Sequence, residues 1–258
     1  MIKQNAIITG ASGFLGSVFI KALLELEFNL ILVDKNVKKL REIKKKKSNI
    51  HFYKLDVSNS AQINLFYSKI KKKFKKIDVL INSASIDSKP DFSSKKKNFV
   101  LENFSEKQWD KEINVNLKSV FLLSRKIGNL MSINKNGIIL NIGSDLSIIS
   151  PRQSIYKNKK FIYKKPITYS VSKHGIVGIT KYMAEYWSKY NVRVNCISPG
   201  SVKHKQPSSL KKNLVKLIPM SRLLEKKELI NVVKFLCSDK SSYITGQNIV
   251  IDGGRTII

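Results

Sequence analysis

The sequence predicts an α/β fold, a single domain over residues 1–258 built on a doubly wound parallel sheet of about seven strands. Three observations predict it. Short β-branched apolar runs alternate with amphipathic helical stretches along the chain, a glycine-rich turn joins the first run to the first helix, and no Pro/Gly/Ser-rich linker intervenes. With 258 residues, 42% of them hydrophobic, the chain is long enough to bury one sizeable core.

The elements follow in order. Ala6–Thr9 reads as the first strand, and Leu15–Leu26 carries helical periodicity behind it. Leu30–Val33 and His51–Leu55 are the next strands, and the helix Ile63–Lys73 leads to the strand Val79–Asn82. Lys107–Met131 reads as one long helix before the strand Ile138–Ile142, Tyr169–Tyr190 as another before Arg193–Ile197, and Lys226–Leu236 as the helix before the closing strand Asn248–Ile251. Strict alternation makes the strands parallel, covers both faces of the sheet with helices, and places the ligand crevice at the strands' carboxyl ends.

Composition narrows the partners. The net charge of +30 attracts polyanions whatever the fold beneath it. Lysine supplies 42 of the 48 basic residues, however, whereas phosphate and base recognition favours arginine forks, and no nucleic-acid-binding motif is present. The runs Lys44–Lys47, Lys71–Lys73 and Lys95–Lys97 are therefore expected to be solvated loops and helix ends. Cys196 and Cys237 sit in apolar stretches and His51, His174 and His204 lack ligand spacing, so neither a disulfide nor a metal site is expected. No apolar run approaches the ~18 residues of a membrane span and Met1–Thr9 enters a strand directly, so a soluble, cytoplasmic protein is expected.

Two constellations carry chemistry. In Thr9-Gly-Ala-Ser-Gly-Phe-Leu-Gly16, the residues Gly10, Ser12, Gly13, Phe14, Leu15 and Gly16 form a strand-to-helix turn in which bare backbone approaches a pyrophosphate at a helix N-terminus, the signature of a Rossmann fold. Asp34 ends the second strand about 20 residues on, where a carboxylate bonds ribose hydroxyls. It favours NAD(H), while Lys35 beside it offers a contact for the 2′-phosphate of NADP(H). Second, Tyr169 and Lys173 are one helical turn apart, which brings a phenol and an ammonium onto one face; a fixed positive charge favours the phenolate and lets the Tyr exchange a proton with a carbonyl or alcohol.

With these features the chain resembles the short-chain dehydrogenase/reductase family almost from end to end. Asp56-Val57 resembles the family's adenine-contacting pair, and Asn82-Ser83-Ala84-Ser85 stands where the family has Asn-Asn-Ala-Gly. Asn116, Ser144, Tyr169 and Lys173 match its catalytic tetrad, Pro199-Gly200 its turn beside the nicotinamide, and Thr245–Gly254 its closing strand. The glycine spacing departs towards the extended branch, and His204 stands where a carboxamide-holding Thr is common. The resemblance implies NAD(P)-dependent interconversion of a carbonyl and a secondary alcohol. Ser144 would bind the carbonyl oxygen, Tyr169 pass the proton, Lys173 lower the Tyr169 pKa and hold the ribose, and Asn116 steady a water beyond Lys173. It also implies a homodimer or homotetramer through the two long helices.

The substrate is approached through an insertion. Between Ser144 and Tyr169 lie 24 residues, about twice the family's usual dozen, and residues 151–166 are read as a loop over the active-site mouth. Arg152, Lys157, Lys159, Lys160, Lys164 and Lys165, with Tyr156, Phe161 and Tyr163, and Lys203, His204 and Lys205 after the Pro-Gly turn, would attract phosphate or carboxylate and stack on a sugar or base. The stretches around Gly143–Ser147, Pro166–Gly175 and Asn195–Ser201 resemble oxidoreductases of bacterial surface-glycan and flagellin-glycosylation pathways, linked to amino-sugar and nonulosonic-acid synthesis. A 3-oxoacyl-thioester reductase acting with an acidic acyl carrier protein is the alternative enzyme. A non-catalytic dinucleotide sensor or nucleic-acid-binding module is the alternative of another class.

Overall fold

The computed structural model describes residues 3–45, 49–88, 99–156 and 163–258. Seven strands, β1 (Asn5–Thr9), β2 (Asn29–Asp34), β3 (Ile50–Lys54), β4 (Val79–Asn82), β5 (Gly137–Ile142), β6 (Val192–Pro199) and β7 (Asn248–Ile251), form one sheet in the order β3-β2-β1-β4-β5-β6-β7. Every pairing is parallel. The strand order reverses between β1 and β4, which opens a crevice above their carboxyl ends.

Period-two alternation sorts the strand residues between two cores. Ile8, Leu30 and Leu32 face α1 (Gly16–Glu25) and α8 (Lys226–Leu236), packing with Phe19, Leu23, Leu229 and Val233. Ile7, Ile31 and Leu80 face the other way, onto Phe66 and Ile70 of α3 (Ser60–Lys73), Ile127 of α5 (Ser119–Ile133) and Trp187 of α6 (Ile167–Trp187). Burial on both faces is why the strands read as continuous apolar runs.

Two helices escape the periodicity reading. α2 (Lys38–Lys45) is mostly charged, with Leu40 buried, and α7 (Ser208–Val215) is two turns long. The helix expected over Lys107–Met131 is divided: α4 (Glu106–Ile113) and α5 are joined by a π-helical turn, Asn114–Lys118. The wider turn holds Asn116 in the interior, where it is 1% exposed. Lys71–Lys73 lies in the last turn of α3, as positive charge at a helix carboxyl end should. Lys46, Lys47, Lys95–Lys97, Lys157, Lys159, Lys160 and Phe161 lie outside the described residues. Among the described residues, no helix is long and apolar enough to cross a membrane.

Arg193 of β6 closes the α8 end of the sheet. Its buried guanidinium donates to the carbonyl oxygens of Leu236 (3.1 Å) at the end of α8, and of Ser238 (3.1 Å) and Ile244 (3.3 Å) in the segment that follows. Arg193→Met should lower the unfolding free energy by about 2–3 kcal/mol, because those carbonyls lose a charged donor inside the protein. Urea denaturation measures this, and an unchanged midpoint would mean that water serves them equally well.

Candidate active site

The turn after β1 is stitched across the reversal point. Thr9 Oγ1 accepts from the backbone N–H of Ser83 (3.0 Å) and Ala84 (3.1 Å), joining the ends of β1 and β4. Gly10 then turns with φ +65°, and a Cβ there would lie 2.8 Å from Ala84 Cα. Gly13 N–H donates to Gly10 O at 3.0 Å. The first turn of α1 carries no acidic side chain, so its positive end is free for an anion. Asp34 braces this turn: Oδ2 accepts from Ser12 N–H at 3.0 Å and Oδ1 from Asn36 N–H at 2.8 Å.

The turn opens into a cleft of 1210 Å³. Gly10, Ser12, Gly13, Phe14, Leu15, Gly16, Asp34, Lys35, Asp56, Val57, Ser83, Ala84, Pro199 and Gly200 border it, together with Ser144, Tyr169 and Lys173. Lys35 is bound to Asp56, with Nζ 2.9 Å from Oδ2. Burial raises the Asp56 pKa, but hydrogen bonds from Ser58 and Lys35 outweigh it and hold the carboxyl below its ordinary value.

One expected contact faces elsewhere. Asn82 is buried and donates to Asn141 Oδ1 (2.9 Å) and Ser124 Oγ (2.8 Å), bracing β4 against β5 and α5 because its side chain falls on the α5 face of the sheet. Asn116 is bonded to the segment after β4. Its Oδ1 accepts from Ile86 N–H (2.7 Å) and Ser85 Oγ (3.2 Å), and its Nδ2 donates to Ile86 O (2.9 Å). These bonds position that cleft wall.

At the other end, α6 brings Tyr169 to the cleft wall that Ser144, which follows β5, also borders. Lys173 is 3% exposed; its Nζ donates to Ile142 O at 2.8 Å and lies 5.5 Å from the centre of the Tyr169 ring. The electrostatics run against the expectation drawn from spacing. Burial pushes the Tyr169 phenol above its ordinary pKa, Asp87 adds to the rise, and the Ser144 hydroxyl opposes it. Burial also lowers the Lys173 ammonium to about 8. Desolvation penalises the charged form of each, so the phenol keeps its proton.

Four charged residues at this end were not singled out in the sequence. Asp145 hydrogen-bonds Ser144 and forms a buried ion pair with Arg255. Asp87 pairs with Lys165, whose Nζ stands 3.9 Å above the centre of the Tyr169 ring. Glu112, on α4, is buried and accepts from Thr168, Ser88 and Gln108, tying the start of α6 to the wall after β4. Their long-range partners leave no local pattern: Arg255 lies 110 residues from Asp145, Lys165 78 from Asp87 and Thr168 56 from Glu112. Lys165 N–H donates to Gln153 Oε1 (2.8 Å) and Gln153 Nε2 to Lys165 O (3.2 Å), so Gln153 and Lys165 are tied to each other.

Comparison with known proteins agrees with this geometry. A family model described as enoyl-(acyl carrier protein) reductase matches residues 15–256. A 3-oxoacyl-acyl-carrier-protein reductase of Thermotoga maritima is 34% identical over 80% of this chain and 76% of its own length. An NAD-dependent glycerol dehydrogenase of Listeria innocua is 31% identical over 98% of this chain and 93% of its own. A short-chain dehydrogenase from Leptospira borgpetersenii, solved with bound NAD+, is 31% identical and superposes with a TM-score of 0.86, covering 98% of this chain and 93% of that one. Sheet order, crevice and matched length lead to one conclusion: the chain belongs to the short-chain dehydrogenase/reductase family of NAD(P)-dependent oxidoreductases.

Proposed function

We propose that the protein reduces a carbonyl to a secondary alcohol on an anionic small molecule, a phosphorylated or nucleotide-activated sugar of surface-glycan biosynthesis, in the cytoplasm and with NADH. The supporting observation is the meeting of Ser144, Tyr169 and Lys173 at one end of a cleft that Lys111 and Lys205 also border. Cations around a concave site favour phosphate or carboxylate substrates. The segment 151–166 serves as an insertion that carries Lys165 to this wall.

The residues present fit a nicotinamide dinucleotide. Gly10, Gly13 and Gly16 border the cleft with bare backbone, the adjoining end of α1 has no competing carboxylate, and Asp34 borders the same cleft. Gly10–Gly16 would hold the pyrophosphate, Asp34 the adenosine ribose and Lys173 the nicotinamide ribose. When bound, the cofactor supplies the hydride. Ser144 orients the carbonyl oxygen and Tyr169 gives it the proton, and a phenol held above its ordinary pKa stays in the donating form at neutral pH.

Preference for NADH rests on Asp34, whose carboxylate would repel a 2′-phosphate, while Lys35 is already engaged by Asp56. Asp34→Ser should shift the ratio of NADH to NADPH affinity towards NADPH by about 100-fold, close to 3 kcal/mol. Fluorescence titration with each cofactor measures it, and an unchanged ratio would place the ribose elsewhere. A homodimer or homotetramer through α5 and α6, where Phe121, Tyr182 and Tyr186 are exposed, completes the reading; a monomer in sedimentation would reject it.

A second reading, reduction of a 3-oxoacyl thioester on an acidic carrier protein, is favoured by the names of the relatives and by the net charge of +30. NADH oxidation with a pool of phosphorylated and nucleotide-activated keto-sugars, beside acetoacetyl thioester, separates the two. Tyr169-dependent turnover of the sugar pool supports the first reading, and turnover of the thioester alone replaces it with the second.

A further inference from the structure

The Ser144 hydroxyl has one proton and two lone pairs. The proton points to Asp145 Oδ1 at 2.8 Å, and the oxygen accepts from Leu146 N–H at 3.2 Å. At rest, Ser144 therefore donates into a carboxylate. To bind a substrate carbonyl it must turn that proton round. How tightly Asp145 holds it depends on what else satisfies Asp145.

Arg255 is what else satisfies it. The two residues are 110 positions apart and their side chains are 4% and 6% exposed. The guanidinium takes Asp145 Oδ2, while Oδ1 also accepts Leu146 N–H at 2.9 Å. Arg255 is delivered by Gly253 and Gly254, at φ +68° and +89°, conformations costly for residues with a Cβ. Asp252 secures that turn by accepting from Gly254 N–H (2.9 Å) and Thr256 N–H (2.7 Å). Burying an ion pair gains little stability by itself, so the stability of the fold does not account for this arrangement.

We propose that Arg255 is a positioning residue that frees the Ser144 hydroxyl for the substrate. With the guanidinium in place, Asp145 keeps two donors, Arg255 and Leu146 N–H, when the Ser144 proton rotates towards a carbonyl oxygen. No proton changes owner in this rotation. Without it, a buried carboxylate would depend on Ser144 and one N–H, and releasing Ser144 would leave that charge poorly solvated. Charge balance behind Ser144, rather than contact with substrate, is the contribution of Arg255.

The inference rests on the proposed role of Ser144, and its test separates the two. The probe is ethyl acetoacetate, a small uncharged keto ester, with NADH oxidation followed for the wild type, Ser144→Ala, Arg255→Gln, Arg255→Lys and the double variant Asp145→Asn/Arg255→Gln. NADH affinity and thermal melting are measured alongside. Ser144→Ala and Arg255→Gln should each lower kcat at least about 10-fold, with KM and NADH affinity nearly unchanged. Arg255→Lys should recover part of the rate, and the double variant most of it, because a neutral amide releases the hydroxyl easily. Wild-type kcat in Arg255→Gln beside an impaired Ser144→Ala overturns the inference alone. A double variant no faster than Arg255→Gln does the same, by making the pair structural. Wild-type kcat in Ser144→Ala removes the role of Ser144 itself, and the inference with it.

Discussion

Tyr169→Phe should lower turnover by about a thousandfold and leave NADH affinity within about twofold, a change within the range seen when a general acid is removed. Phenylalanine fills the same space and keeps the ring face beneath Lys165, whose ammonium lies 3.9 Å from its centre. What disappears is the hydroxyl, and with it the proton for the carbonyl oxygen. Because burial holds this phenol above its ordinary pKa, it is the protonated form whose loss is being measured. Reduction needs that form, and it would be lost only as pH rises through the elevated pKa. Steady-state kinetics with fluorescence titration of NADH provides both readouts. A rate within tenfold of the wild type would remove Tyr169 from the chemistry.

The second large effect is expected at Gly16. A Cβ there would lie 2.4 Å from Ala11 O, 2.6 Å from Ala11 C and 2.7 Å from Gly10 O. All three are backbone atoms of the turn itself, so no side chain can swing aside. Gly16→Ala should destabilise the protein by about 2–3 kcal/mol, the upper part of the range for overpacking, and weaken NADH binding as the turn shifts. Gly178 on α6 is the internal control, since nothing lies within 4 Å of its added Cβ and it is exposed. Gly178→Ala should stabilise the isolated chain by about 0.5–1 kcal/mol through helix propensity, and a loss of stability would place Gly178 in the proposed subunit contact beside Tyr182 and Tyr186. Urea denaturation of the pair measures both signs, and equal effects would mean that the close approach at Gly16 relaxes freely.

Much of the cofactor end was legible because its signals are local. The glycines of residues 10–16 and the carboxylate at the end of β2 lie on adjacent elements of one β-α-β unit, so spacing alone brings them together. Tyr169 and Lys173 share a face because four residues make about one helical turn. The division of the helix expected over Lys107–Met131 was not legible, since a π turn leaves apolar periodicity almost unaltered. Nor was the inward course of Asn82, whose neighbours Ser124 and Asn141 come from elements 42 and 59 residues away.

The sequence by itself determined the alternating units, hence the parallel sheet, the crevice at its carboxyl edge and which side chains stand at that edge. Only the tertiary structure decided how those side chains are solvated and by whom they are held. The one-turn spacing of Tyr169 and Lys173 predicted an acidic phenol, yet enclosure by α6, β5 and the wall after β4 raises its pKa and lowers that of the lysine. The pairing of Arg255 with Asp145, across 110 residues, became visible only when the chain's last turn folded back behind Ser144. Periodicity records which face of an element is buried, because burial repeats with the backbone. Desolvation and long-range pairing depend on which distant segments meet, and no local pattern records that.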